Sequence, residues 1–109
     1  MWQAAWDVYV SLTRVTTGEQ PIANATIVGE ELARWLRDID GFEGIVMLSR
    51  SGESLGLTFW ESREVAEAHL PARIEFIERM TSVAGVQLEE ILEYRLMFAE
   101  LGPLLERPE

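Results

Sequence analysis

Two neighbouring stretches of this chain, residues 42–50 (FEGIVMLSR) and 55–60 (LGLTFW), are apolar on both of their alternating sides. Val46 and Leu48 oppose Ile45 and Met47 in the first; Leu57 and Phe59 oppose Trp60 in the second. Successive side chains of a strand point to opposite faces, so a sheet with one wet face reads as apolar alternating with polar. Strands written this way need cover above and below. The link between them, Ser51-Gly52-Glu53-Ser54, is short and polar, as in a hairpin.

The other segments supply part of that cover. Residues 1–5 read as a lead-in. From 6 to 15, Trp6, Val8, Val10 and Leu12 alternate with Asp7, Tyr9, Ser11 and Thr13, which predicts a first strand ending at Thr16-Thr17-Gly18-Glu19. Pro21 suits the first turn of a helix. Ala25, Val28, Leu32, Trp35, Leu36 and Ile39 then recur at helical spacing, opposite the solvated Glu30, Arg34 and Asp38, with Gly41 placed for a left-handed cap. Ser62 is a good N-cap and Glu64 a favourable first-turn acid. Pro71 breaks this second helix into 62–69 and 71–84, because it removes a donor and restricts Leu70. Ile74, Ile77 and Met80, with Leu70, make the buried stripe of the longer piece, Glu75 and Arg79 pair outside it, and Gly85 ends it. Residues 86–101 hold the last strand, with Leu92, Tyr94, Leu96 and Phe98 on one side and Ile91, Glu93, Arg95 and Met97 on the other. Gly102-Pro103 terminates it, and 104–109 are a tail.

Strand, helix, strand, strand, helix, strand is the α+β, ferredoxin-like β-α-β-β-α-β order, a four-stranded antiparallel sheet with two helices on one face. No repeat or linker divides the 109 residues, so 1–109 reads as one domain with a core at about 6–100. Two helices shield one face only. The other leaves more apolar surface than a monomer usually tolerates, and a second copy packed sheet to sheet about a two-fold axis is the economical remedy: a homodimer, a dimeric α/β barrel. Arg14, Arg50 and Arg95 are placed for salt bridges across it, with Glu90 and Glu93 as partners.

Composition excludes several functions. There is no cysteine, hence no disulfide, thiolate or Cys-ligated metal centre. The formal charge is −10 and all nine cations are Arg, so phosphate backbones are repelled and neither Schiff-base chemistry nor a phosphate-loop lysine is available. Nucleic acid is not an expected partner. No run approaches a membrane span, and MWQAAWDV lacks the flanks of a secretory signal, which fits the cytoplasm.

Gly18, the helix after it, GFEG at 41–44, LTFWES at 57–62 and EVAEAHL at 64–70 together resemble the antibiotic biosynthesis monooxygenase-type dimeric α/β-barrel proteins. The resemblance spans about residues 8–99, with Asp40 where a proline often precedes the glycine. It implies the same dimeric fold and, for the activity, cofactor-independent oxygenation, with no cofactor or metal required. The haem-degrading branch of this group implies an Asn on the first strand, a Trp in the second helix and a haem-ligating His nine or ten residues on. Here the first strand has no Asn, His69 stands in place of the Trp, and Glu78 or Arg79 in place of the His, so haem degradation is disfavoured.

His69, the only histidine, is the candidate catalytic group: a base for a phenol or hydroquinone, its reference pKa lying near about 6.5. Alternatively it hydrogen-bonds a strand carbonyl or a partner subunit and holds the helix end. One histidine with no second nitrogen or sulfur ligand does not make a metal site. Trp35 and Trp60 are candidate pocket walls as well as core residues. Tyr9, Ser11 and Tyr94 are strand hydroxyls that orient a ligand or bridge strands. Two functions are compatible with this set. One is a cofactor-independent monooxygenase-like enzyme acting on a small aromatic or quinol-type metabolite between helices and sheet. The other is a non-catalytic dimer that binds a small hydrophobic ligand or assembles with a partner.

Overall fold

A computed structural model describes residues 8–17 and 22–103, with the side chains of the first helix described from Thr26 onward. The expected lead-in 1–5, Trp6 and Asp7, the Gly18–Glu19 turn, Pro21 and the tail 104–109 lie outside the described residues. The elements are β1 (Tyr9–Thr16), α1 (Ile22–Leu36), β2 (Phe42–Arg50), β3 (Glu53–Trp60), α2 (Arg63–Ala68), α3 (Leu70–Ala84) and β4 (Gln87–Arg95). They form one antiparallel sheet in the order β2-β3-β1-β4. Consecutive strands β2 and β3 pair directly, while each helical crossover skips a strand, which is the ferredoxin-like arrangement.

Local chemistry explains the joints. The β2–β3 hairpin turns on Ser51 and Gly52 alone, and Gly52 takes the positive φ of 80° that a tight turn requires. Helix α1 stops at Leu36, short of Ile39. The chain instead tightens, with Ile39 N–H donating to the Leu36 carbonyl at 2.9 Å and Phe42 N–H to that of Ile39 at 3.1 Å. Ile39 still packs on the core. Gly41 follows at φ +92°. Ser62 caps α2 by accepting from Val65 N–H at 3.2 Å. The expected break falls at His69, which ends α2 and begins α3, with Pro71 in the first turn where its missing donor costs nothing.

The last strand is shorter than expected. Its pairing with β1 ends at Tyr9 and Arg95, and Leu96 N–H to the Val8 carbonyl at 2.9 Å is the last rung among the described residues. Beyond it Met97, Phe98 and Leu101 are exposed.

The register separates two faces. Trp60 packs with Leu32, Leu36, Ala66 and Ile77 beneath the helices, and Leu36, Trp60 and Ala66 are wholly buried. Residues in phase with Trp60 therefore face inward, and Phe59, Leu57, Val10, Leu12, Val46, Leu48, Leu92 and Tyr94 face outward. At the sheet edges that outer face is open: Leu48 is 50% exposed and Val46 44%. Among the described residues no helix is long and apolar enough to cross a membrane.

Gly41 is the tightest joint. A Cβ there would lie 2.7 Å from Val65 Cγ1 and 3.0 Å from Glu61 Oε1, on backbone that disfavours a side chain. Gly41→Ala is expected to lower unfolding free energy by about 1–3 kcal/mol, measured by urea denaturation; an unchanged midpoint would show that the α1–β2 turn relaxes freely.

Candidate functional site

The inner face of the sheet is polar at its centre. Ser11, Thr13, Ser54 and Thr58 are all buried, on strands that carry aliphatic residues outward. Hydroxyl side chains this short do not reach the helices. They leave a cavity of about 30 Å³ walled by Val28, Leu32 and Ile77 opposite Thr13, Ser54 and Thr58. A space of that size holds one or two waters, far below the roughly 300 Å³ of a drug-sized site. Its lining also includes Met47, whose thioether rests against two glycines. A Cβ on Gly29 would meet Met47 Cε at 3.0 Å, and one on Gly56 would meet Sδ at 3.2 Å. Met47 is partly exposed on the edge strand and has three freely rotating bonds, so it is a displaceable wall.

One residue further along the same face the hydroxyls join a network. Ser11 Oγ donates to Glu93 Oε2 at 2.7 Å across the β1–β4 pairing. Trp60 Nε1 donates to Thr58 Oγ1 at 2.9 Å, and Thr58 Oγ1 makes a long contact of 3.5 Å to the Ser11 carbonyl. Above them lies Arg73, 1% exposed. Its guanidinium sits 4.9 Å from the centre of the Trp60 ring, and one terminal nitrogen donates to the Ala66 carbonyl at 3.0 Å. Burial pushes the Arg73 pKa down from its ordinary value, and the charge of Glu93 acts the other way. Two atoms of this network are buried without a hydrogen-bond partner among the described residues, Arg73 Nε and Glu93 Oε1.

Arg73 is inside because α3 presents Arg73, Ile77 and Thr81 to the sheet at four-residue spacing. The stripe expected from hydropathy, Leu70, Ile74, Ile77 and Met80, is rotated: Ile77 is buried, and the other three are only half-buried beside it. Strand charges differ from expectation as well. Arg14 pairs with Glu90 at 2.9 Å within the chain, Arg50 approaches Glu53, and Glu93 turns inward to Ser11. On α1, Arg34 pairs with Glu31.

Of the residues singled out in the sequence, the fold brings three together. Ser11 and Trp60 belong to the buried network. His69 is half-buried at the α2–α3 junction with its ring stacked on Trp60, centroids 5.9 Å apart and 19° from parallel. It does not line the cavity, and no described residue hydrogen-bonds its ring. The other three do not join the network, although Tyr9 and Trp35 pack against the core cluster that contains Trp60. Trp35 stacks on Phe76 at 5.0 Å, in the seam between α1 and α3. Tyr9 lines a separate open groove with Glu61, Arg63, Glu64 and Arg95. Tyr94 pairs with Val10 on the outer face and is 49% exposed, so it is not a wall of the helix-side cavity. Period two fixed this: Tyr94 and Glu93 are neighbours, and the pairing of Glu93 with Ser11 sends Tyr94 to the opposite side. Sequence reasoning missed Arg73, Glu93 and Thr58. For Thr58 the signal was present, a lone hydroxyl inside LGLTFW. Among the described residues no three His, Asp or Glu side chains cluster as metal ligands do.

No family model and no curated protein matches the sequence. Solved structures do match. A Deinococcus radiodurans protein designated an antibiotic biosynthesis monooxygenase superposes with a TM-score of 0.65 at 20% identity, over 85% of this chain and 96% of that one. SnoaB, a cofactor-independent oxygenase from Streptomyces nogalater, gives 0.62 at 14% identity, over 89% and 98%. The monooxygenase from the gene ActVA-Orf6 of Streptomyces coelicolor, in complex with Nanaomycin D, gives 0.60 at 19% identity, over 86% and 91%. At these identities the likeness is one of architecture: the chain has the ferredoxin-like fold of the antibiotic biosynthesis monooxygenase-type structures.

Proposed function

We propose that this chain works as a homodimer that binds a small, flat, electron-rich phenol or quinol between helices and sheet and oxidises it with molecular oxygen. The observation that carries the reading is the buried hydroxyl and carboxylate network of Ser11, Thr58 and Glu93 beside an apolar gap walled by the movable Met47. A polar interior next to such a gap suits an aromatic body with a polar edge. The fold shared with a cofactor-independent oxygenase supports the choice of chemistry.

Such a substrate supplies its own electrons. Loss of a proton gives an anion that reduces oxygen. One oxygen atom stays as a carbonyl on a ring carbon that gives up its single hydrogen, and the other leaves as water with that hydrogen and the hydroxyl proton. The protein then has to bind, orient and accept a proton, with no metal or flavin taking part. His69 is the proposed base or hydrogen-bond partner, reached from the Trp60 end of the network. Val28, Leu32, Ile77 and Met47 are the proposed walls, in place of Trp35, Tyr9 and Tyr94. A second reading, a dimer that binds a small ligand without turnover, is favoured by the small cavity and by His69 lying outside its lining.

The open outer face supports the dimer. Exposed Val46, Leu48, Leu92 and Tyr94 surround the outward Leu57 and Phe59, a patch that a second sheet would cover. Light scattering is expected to give about twice the 12.4 kDa of one chain, and Leu48→Glu to shift the mass toward one chain. A wild-type mass of 12.4 kDa with intact near-ultraviolet dichroism would exclude the dimer. For the reaction, oxygen uptake with a panel of dihydroxyaromatics is expected in the wild type and about 100-fold less in His69→Ala, within the usual range for loss of a general base. Equal turnover would remove His69 from catalysis, and no uptake on any of the panel would favour the binding dimer.

A further inference from the structure

Gly29 and Gly56 stand where neither element calls for a glycine. Gly29 lies in the middle of α1, where glycine costs stability relative to alanine. Gly56 lies in the middle of β3, where it leaves the pleat without a side chain to pack. Neither has a positive φ, so no turn requires them. The fold sets them on opposite sides of one side chain. Gly56 pairs with Met47 across β2 and β3, and Gly29 lies on the covering helix. Met47 Sδ is 3.1 Å from the Cβ position of Gly29 and 3.2 Å from that of Gly56. An alanine at either place would press on the thioether.

The same side chain stands at the mouth of the cavity. Among the described residues that line this space Met47 alone is exposed, at 41%. It belongs to an edge strand, with no further strand beyond it, whereas Val28, Leu32 and Ile77 are buried. An unbranched thioether swings outward about its own bonds without moving the backbone. Turning it out joins the cavity to solvent through a passage floored by Gly56 and roofed by Gly29.

The depth of that passage has a chemical meaning. One sulfur atom spans it, so it is a single heavy atom deep. An aromatic ring is equally thin, and packs against atoms above and below it at about 3.5–4.0 Å. A saturated ring of the same size is puckered and carries hydrogens on both faces, too thick for the gap between the two backbones.

We infer that Met47 is the gate of the helix–sheet cavity, and that Gly29 and Gly56 make the passage behind it a slot for one flat aromatic ring entering edge-on from the β2 side. The inference deepens the proposed function and rests on its helix–sheet site, but it concerns entry and binding and is tested without turnover.

The test titrates the full chain with phenol and with cyclohexanol, which share ring size and hydroxyl and differ in thickness. Affinities are read from ligand-observed NMR, and the place of binding from the methyl proton resonance of Met47, assigned by its loss in Met47→Ala. Phenol is expected to shift that resonance saturably and to bind at least tenfold more tightly than cyclohexanol. Equal affinities, or no saturable shift with phenol, would overturn the inference. Gly29→Ala puts a methyl group into the slot at a helical position that suits alanine, so phenol affinity falls at least tenfold while the urea midpoint is not lowered. Met47→Ala removes the gate, and phenol binds several-fold more tightly. Unchanged phenol binding in Gly29→Ala, or weaker binding in Met47→Ala, would overturn the inference, because a methionine that merely fills the core gives no such opposed pair. Should Met47→Ala fail to fold, Gly29→Ala and the ring comparison in wild type still decide. Should Gly29→Ala fail, Gly56→Ala obstructs the slot from the sheet side and carries the same expectation. Phenol binding at Met47 without oxygen uptake on any dihydroxyaromatic would sink the oxygenase reading and keep the gate. Oxygen uptake undiminished in Gly29→Ala would do the reverse.

Discussion

Pairing of β1 with both β3 and β4 sets Ser11 between Thr58 on one side and Glu93 on the other, and the interior depends on that register. A slip of one residue would send Ser11, Thr58 and Glu93 outward and bring Val10, Phe59 and Tyr94 under the helices. The apolar outer face would then be broken by hydroxyl and charged side chains, and Trp60 would leave the core. Many apolar contacts hold the register at once, so the buried polar groups are carried inward by their neighbours on the same strands.

What those polar groups do to the core explains why it is incomplete. A sheet lined with Ser, Thr and Gly at its centre presents little volume to α1 and α3, and a gap remains between Ile77 and Thr58. Met47 reaches into that space from the edge strand because Gly29 and Gly56 leave room for it. A leucine or valine at Thr13 or Thr58 would fill the gap and need no hydrogen bonds. Buried charge is seldom retained for stability alone, since apolar replacements of similar volume are often as good or better. Arg73 over Trp60 and Glu93 on Ser11 are two such buried charges.

The two faces of the sheet divide the labour of the molecule. Helices α1, α2 and α3 close the inner face, with α1 and α3 walling the cavity, while the outer face keeps Val46, Leu48 and Leu92 at the surface. His69 belongs to the boundary between these roles: half-buried, stacked on a core tryptophan, and placed at the break that Pro71 imposes on the second helical segment.

Much of this was written in local pattern. Alternation marked the strands, three- and four-residue spacing marked the helices, and Gly41, Gly52, Ser62, Pro71 and Gly85 marked the joints, each because its backbone or capping chemistry admits few alternatives. The doubly apolar hairpin also raised the expectation of cover on both sides of the sheet. The site was legible only in fragments: Ser11, Trp60 and His69 stood out by residue type, but their association did not. Arg73 was not singled out and Glu93 was read as a salt-bridge partner across the dimer, because hydropathy keeps cations and carboxylates out of a core, and only the packing of α3 on the sheet and the β1–β4 register turned them inward. Sequence alone thus determined which elements form and in what order, since those choices are made within a few residues. Tertiary structure alone decided which side chains share the interior, because that depends on helix rotation and strand register set by contacts far apart along the chain.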